Sequence, residues 1–350
     1  MTVSPFDHPL LSGLLGDEEA ARHFSVEADI AAMLAFERAL AEAEAECGVI
    51  PNDAEAAILQ ALAAFRPDTA KLRAGVVHDG IVVPELVRQV RAAVGEPYAQ
   101  FVHFGATSQD VVDTSLVLRL TSAVEHIGLL LSENIVRLTN LEEEFGSRAL
   151  MAVTRMQPAI PITVADRISC WRAPLERHQQ RFQEQAGRLL VVQFGGAAGT
   201  LDKLGNKAPA VRAALAARLG LADGPQWHSQ RDALAEFAAW MSLVTGSLGK
   251  FGQDIALMAL TGADIELSGG GGSSAMPQRH NPVKAEALVA IARFNATQLA
   301  GTHQALVHEQ ERSGSAWTLE WLILPQMVVA TAAALRLAAE LAAQIESLGH

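Results

Sequence analysis

The segment LAEFAAWMSLVTGSLGKFGQDIALM, residues 234–258, places Leu234, Phe237, Met241, Val244, Leu248, Phe251, Ile255 and Met258 at alternating steps of three and four. That spacing is the seam of a helix bundle or coiled coil. A second run, Val117, Leu120, Val124, Ile127, Leu131, Ile135 and Leu138, has similar spacing. It predicts a helix over about 108–143, roughly 50 Å long at ~1.5 Å per residue. A helix of that length needs partners along its whole course. The chain is rich in Ala, Leu and Glu and poor in aromatics, so the expected fold is all-α. Breaks fall at Gly95-Glu96-Pro97, Gly146-Ser147, Gly195-Gly196, Gly224-Pro225 and the glycine run at 269–272. Between them, residues 101–345 read as long antiparallel helices with short connections. Met33, Phe36, Leu40 and Cys47 share one helical face within a smaller N-terminal helical domain, residues 1–98.

The 350 residues are ample for a substantial core. A formal net charge of -12 repels phosphate backbones and anionic lipid, which argues against nucleic acid and membrane partners. A small anionic substrate then requires a local cluster of Arg, Lys, His and backbone N–H groups. Cys47 and Cys170 lie far apart with no CxxC spacing, so neither a disulfide framework nor a cysteine-built zinc site is expected. A reducing cytoplasm fits this usage, and the N-terminal segment lacks the basic region of a signal peptide. The most apolar stretch, 321–343, is interrupted by Pro325, Gln326 and Arg336 and reads as a bundle-core helix rather than a membrane span.

Three polar segments carry candidate chemistry. GGGGSSAMPQRHNP, residues 269–282, combines a mobile backbone whose N–H groups can face an anion with the donors Ser273, Ser274, Arg279 and Asn281. It does not satisfy the phosphate-loop pattern GxxxxGK[ST]. FVHFGATSQD, residues 101–110, stands where a long helix begins. Thr107 or Ser108 is there either a plain N-cap or part of an anion site, and His103 either structural or acid–base. TRMQPAIPIT, residues 154–163, sets Thr154, Arg155 and Gln157 beside a proline-marked helix start, where a capped terminus with a surface Arg is the simplest reading. WHSQRD, residues 227–232, precedes the strongest seam, and Arg312 and Trp317 form a further polar group. GGAAGT, residues 195–200, lacks GxGxxG spacing and any strand–helix alternation, so no dinucleotide site is expected. No His and carboxylate spacing suits a metal, and no cofactor is expected.

Residues 103–110 with Thr114, 154–163 and 272–282 resemble, in order, the three signature regions of the fumarase/aspartase superfamily, which includes adenylosuccinate and argininosuccinate lyases. That resemblance implies a fumarase/aspartase-like long-helix bundle. It further implies a homotetramer whose core is residues 99–345 and whose active sites each draw the three regions from three subunits. Within the superfamily, QFGGAAGTL at 193–201, WHSQRD at 227–232 and WTLEW at 317–321 are similar to the bacterial 3-carboxymuconate cycloisomerases, which close a tricarboxylate diene into a lactone without metal or organic cofactor. The resemblance implies catalytic parts for Ser273, Arg279, Arg155 and His103, with Ser274 as the alternative to Ser273. Substrate contacts fall to Thr107, Ser108, Thr154, Gln157, Ser274 and Asn281, and then to Trp227, His228, Arg231 and Arg312. The lyases carry His where this chain has Arg155, and many relatives carry Lys where it has Arg279. Relatives usually continue beyond the position of His350 into a small C-terminal helical domain, which is expected to be absent here. A 3-sulfomuconate cycloisomerase, a carbon–nitrogen lyase such as adenylosuccinate lyase, and a non-catalytic crystallin-like scaffold are the competing readings.

Overall fold

The computed structural model describes residues 3–276 and 280–350. Arg279 lies outside the described residues. In chain order the elements are α1 (Ser12–Leu15), α2 (Glu18–Arg22), α3 (Val26–Glu46), α4 (Asn52–Ala64), α5 (Thr69–Asp79), α6 (Val83–Val94) and α7 (Ser108–Phe145). A hairpin follows, β1 (Ala149–Thr154) and β2 (Gln157–Thr163), then α8 (Val164–Leu189), α9 (Ala208–Leu219) and α10 (Asp232–Thr261). The chain finishes with β3 (Ile265–Leu267), α11 (Val283–Gln304), α12 (Gly314–Ala342) and β4 (Ile345–Leu348). These elements form the long-helix bundle that the sequence predicts.

Both predicted seams form. All eight seam residues from Leu234 to Met258 are buried on α10, and Val117, Leu120, Val124, Ile127, Leu131 and Leu138 are buried on α7. Each fully buried Leu, Ile or Phe contributes about 1.5–3 kcal/mol relative to its exposed state, so these stripes oblige α7, α8, α10, α11 and α12 to associate. Small residues set how closely α10 approaches α11. A Cβ at Gly249 would stand 2.5 Å from Ala292 Cβ, and one at Gly252 2.7 Å from the carbonyl oxygen of Ala285. Helices α7 and α12 are apolar and long enough to cross a membrane, but the most apolar window of α12 is 78% buried among its neighbours. That burial is what a bundle-core helix requires.

The smaller core is not confined to residues 1–98. Met33, Phe36, Leu40, Leu86 and Val90 pack with Val111, Val117, Phe194, Val211 and Leu215, so α9 and the 192–221 segment belong to it. Phe6 and Ala20, in contrast, join the bundle core. A helix-poor connection cannot be assigned to either core from periodicity, because only the partner across the gap decides which face is apolar.

Residues 154–163 also depart from expectation. The helix begins at Val164, capped by Thr163 and Asp166 in a capping box, and Pro158 and Pro161 lie in β2 instead. A two-stranded ribbon leaves one edge of each strand free, so proline's missing N–H is tolerated there. The hairpin turns at Arg155 and Met156, between the paired residues Thr154 and Gln157. At its far side the hairpin is tied to the end of the chain, since Ala149 N–H donates to the His350 carbonyl at 2.9 Å and Gly349 N–H to that of Asp264 at 2.9 Å.

Candidate functional site

The first signature segment is the start of α7, and its carboxylates face inward. Asp110 accepts hydrogen bonds from the backbone N–H groups of Thr107, Gly195 and Gly196, each at 2.9 Å. It also accepts from Gln193 Nε2 at 3.2 Å and pairs with His228 Nε2 at 2.8 Å. One turn on, Asp113 accepts from Arg231 Nη1 at 2.6 Å and Nη2 at 3.1 Å, from Trp317 Nε1 at 2.9 Å and from Gln109 Nε2 at 3.1 Å. Arg231 donates its Nε to Glu320 at 2.8 Å, with a second bond from Nη2 to the same carboxylate, and stacks over Trp227 at 4.7 Å. Burial by itself would lower the Arg231 pKa, but the Asp113 and Glu320 carboxylates more than reverse this and raise it. Burial likewise raises the Glu320 carboxyl, and Arg231 only partly offsets it.

This arrangement ties α7 to α10 and α12 through charges removed from water. Such pairs are weak sources of net stability, yet removing one partner costs several kcal/mol because the other is left buried and alone. Trp227, His228 and Arg231 were expected among the substrate contacts. In the structure His228 and Arg231 are only 1% and 2% exposed and bond to Asp110 and Asp113 of the first segment. Trp227 covers the Arg231 guanidinium.

What faces outward at this end is different. Thr107 is the N-cap residue of α7, and Asp110 reaches back to its N–H, so the capping reading of the motif holds for the backbone. Thr107 and Ser108 remain half-exposed at the positive end of a 38-residue helix. Arg312 is exposed and held there by Nε donating to Gln109 Oε1 at 2.9 Å and Nη2 donating to the Ala197 carbonyl at 3.2 Å. His103 sits with φ of 61°, its Nδ1 2.6 Å from Glu37 Oε1 on α3. Burial would lower its pKa; the Glu37 carboxylate outweighs that and raises it.

The second segment is the tip of the β1–β2 hairpin, where Thr154, Arg155 and Gln157 are all exposed. Arg155 and Met156 both have positive φ, 47° and 64°. Two-residue hairpin turns of this kind ordinarily recruit Asn and Gly, so a long cation and a Met held there mark a strained position of the sort found at functional sites.

The third segment leaves β3. Ser268 N–H donates to the Gln344 carbonyl at 2.7 Å, Gly269 and Gly270 adopt φ of 77° and 133°, and Gly271 and Asn281 exchange backbone hydrogen bonds at 2.8 and 2.9 Å. These contacts pinch the base of a loop carrying Ser273, Ser274 and Asn281. Ser273 Oγ accepts the Met276 N–H at 3.1 Å, and Asn281 Nδ2 donates to the Gly272 carbonyl at 3.4 Å. A cleft of about 570 Å³ opens at that base, lined by Leu267, Gly270, His280, Asn281, Lys284 and Gln344 among others.

Within one chain, then, the second and third segments share the end of the bundle where α7 and α10 finish. The first stands where both begin. The 38 residues of α7 separate them, about 57 Å at ~1.5 Å per residue. Sequence reasoning did not assign Asp110, Asp113, Gln193, Glu320 or Glu37. The available signal was two acids at i and i+3 on the apolar face of a long helix, Glu37 and Glu44 seven apart on that of α3, and Glu320 on that of α12. Among the described residues no group of three or more His, Cys, Asp or Glu side chains is arranged to hold a metal ion.

Comparison with known proteins shows the family. The family described as Lyase matches residues 15–294. The 3-carboxy-cis,cis-muconate cycloisomerase of Pseudomonas aeruginosa is 41% identical over 325 residues, which are 89% of this chain and 70% of that protein. The crystal structure of the 3-carboxy-cis,cis-muconate lactonizing enzyme from Pseudomonas putida superimposes with a TM-score of 0.90 at 38% identity, over 97% of this chain and 77% of that one. A fumarate lyase from Mesorhizobium sp. BNC1 gives the same TM-score at 32% identity, over 97% and 78%.

Proposed function

Since the chain belongs to the lyase family of fumarase/aspartase fold, we propose that it is an enzyme of the intramolecular-lyase kind, a cycloisomerase that lactonises 3-carboxy-cis,cis-muconate to 4-carboxymuconolactone. The observation that carries this reading is a convergence. The three stretches resembling the cycloisomerases in particular, around Gln193, Arg231 and Trp317, meet on Asp110 and Asp113 and so hold the first signature segment.

The chemistry is consistent with Arg155 at the hairpin tip. Lactonisation adds a carboxylate oxygen across a conjugated double bond and delivers a proton to the carbon alpha to another carboxylate. In reverse it is a β-elimination whose leaving group is a carboxylate with a pKa near ~4, able to depart unprotonated. Lyases that expel an amine or hydroxide need an acid at that point. Arg does not give up its proton at neutral pH, but it holds a carboxylate through two parallel hydrogen bonds. The intermediate is a carbanion delocalised into a carboxylate. Its extra charge calls for preorganised donors, for which Thr107, Ser108, Thr154, Gln157, Arg279 and Asn281 are the proposed set. Ser273 is the proposed proton carrier, with Ser274 the alternative. The Met276 N–H donating to Ser273 Oγ favours the alkoxide over the alcohol, which is the direction a serine base requires. The reaction as written calls for no metal or organic cofactor.

The separation of the first segment from the other two supports a homotetramer in which several copies complete each site. Exposed apolar side chains on the bundle helices, Leu129, Val136, Leu243 and Leu322, supply surface for that association. Cytoplasmic location, action on a small anion rather than nucleic acid or membrane, and a place in the protocatechuate branch of aromatic degradation complete the proposal.

Ultraviolet absorbance of 3-carboxy-cis,cis-muconate mixed with purified protein and a chelator tests it, with product identification. Loss of the diene with lactone formation is expected. An unchanged diene in the presence of a folded oligomer overturns it, and turnover of 3-sulfomuconate or fumarate release from adenylosuccinate would then identify which rival applies.

A further inference from the structure

Glu37 lies on α3, in the smaller helical core, more than sixty residues from the first signature segment, and no sequence motif marks it. Its side chain is 2% exposed, which for a carboxylate demands a partner. The partner is His103, whose Nδ1 stands 2.6 Å away. His103 is itself held with a positive φ of 61°, so its backbone is fixed in an uncommon conformation and its ring is fixed by an acid from another element. With Nδ1 engaged, Nε2 is the ring nitrogen left for a second partner.

We propose that Glu37 is a positioning residue for His103, accepting its Nδ1–H, fixing the ring with Nε2–H outward and keeping the imidazole cationic, so that His103 is a standing charge for a substrate carboxylate and not a neutral base. The surroundings agree. From α7, Asp110 adds negative potential, and from α6 the Arg91 guanidinium opposes it while donating to the Val102 carbonyl at 3.0 Å. Glu44, two turns further along α3, is fully buried with both carboxylate oxygens unpartnered. Burial, and secondarily Glu37, push its pKa up to about 9. Glu44 therefore holds its proton at neutral pH, and Glu37 is the acid of α3 that His103 meets. A cation at that point also complements the positive end of α7 in attracting anions.

This role rests on the lactonising reading, and its test separates the two. In Glu37→Gln the side chain keeps its shape and loses its charge. Imidazole resonances of isotope-labelled His103 in the intact oligomer should then titrate at least about one pH unit lower than in the parent protein. With 3-carboxy-cis,cis-muconate, KM should rise about tenfold or more while kcat changes less. The basic limb of kcat/KM should move down in pH with the His103 titration. Glu37→Asp, which retains the charge, should restore most of both and guards against a folding artefact in the glutamine variant. A His103 titration that does not move in Glu37→Gln, or a loss confined to kcat with KM unchanged, overturns the proposal. If the parent protein leaves the muconate untouched, the lactonising reading fails, and the His103 titration still decides what Glu37 does.

Discussion

The two ends of the bundle are built on opposite plans. At the start of α7, Asp110, Asp113, Arg231 and Glu320 are buried and joined by hydrogen bonds to partners from distant parts of the chain. At the other end Thr154, Arg155, Gln157 and Ser274 are exposed, on a hairpin tip and a glycine loop. The difference separates a buried, cross-linked end of the bundle from an exposed one. Preorganisation resides where burial can enforce it, and adaptability resides where few contacts resist movement.

Mutations can break or sharpen that contrast. The largest effect is expected from Arg231→Met, which strands Asp113 and Glu320 without their cation. Denaturant unfolding at fixed protein concentration should show a loss of about 3–5 kcal/mol; a loss near zero would mean that the network does not pin the first segment. Ser273→Ala should act in the opposite sense. Turnover should fall ~10²-fold or more with an unchanged unfolding midpoint, and near-full activity would remove Ser273 from the mechanism in favour of Ser274.

Glu44 sharpens the comparison through pH. Its folded pKa is raised to about 9 from 4.5, so between these values the folded state holds a proton that the unfolded state has released. Stability therefore falls as pH rises through that window. Glu44→Met should remove a slope of about 1 kcal/mol per pH unit between pH 5 and 8, read from unfolding curves at each pH. A parent and variant with parallel pH profiles would show Glu44 to be ionised. The smallest effect belongs to the hairpin tip. Met156→Gly relieves a left-handed backbone and should stabilise the chain by about 1 kcal/mol or less, at no gain in activity. A destabilised variant would indicate that the Met156 side chain is buried in the assembled oligomer.

Much of this molecule is legible in one dimension. The steps of three and four from Leu234 to Met258 and from Val117 to Leu138 report helices directly, because a helix repeats its face every 3.6 residues and water sorts the faces. The glycine run beside Ser273 and Asn281 is equally plain, since no core uses four consecutive residues without side chains. Residues 154–163 misled because a proline marks a helix start and an edge strand alike, and only pairing with β1 distinguishes them. Glu37, Asp113 and Glu320 were marked only as acids on otherwise apolar helical faces, which names no partner. A buried charge is defined by its partner, and those partners lie 66, 118 and 89 residues away.

The sequence by itself thus determined the helical class, the long seams, the three polar segments and the family they resemble, all of which are properties of short-range pattern. Only the tertiary structure decided that His228 and Arg231 are buried against Asp110 and Asp113, that Glu37 stands beside His103, and that the three segments lie at opposite ends of one chain. Hydrogen bonds and ion pairs of that kind depend on distance and burial in space, and neither is encoded at any single position along the chain.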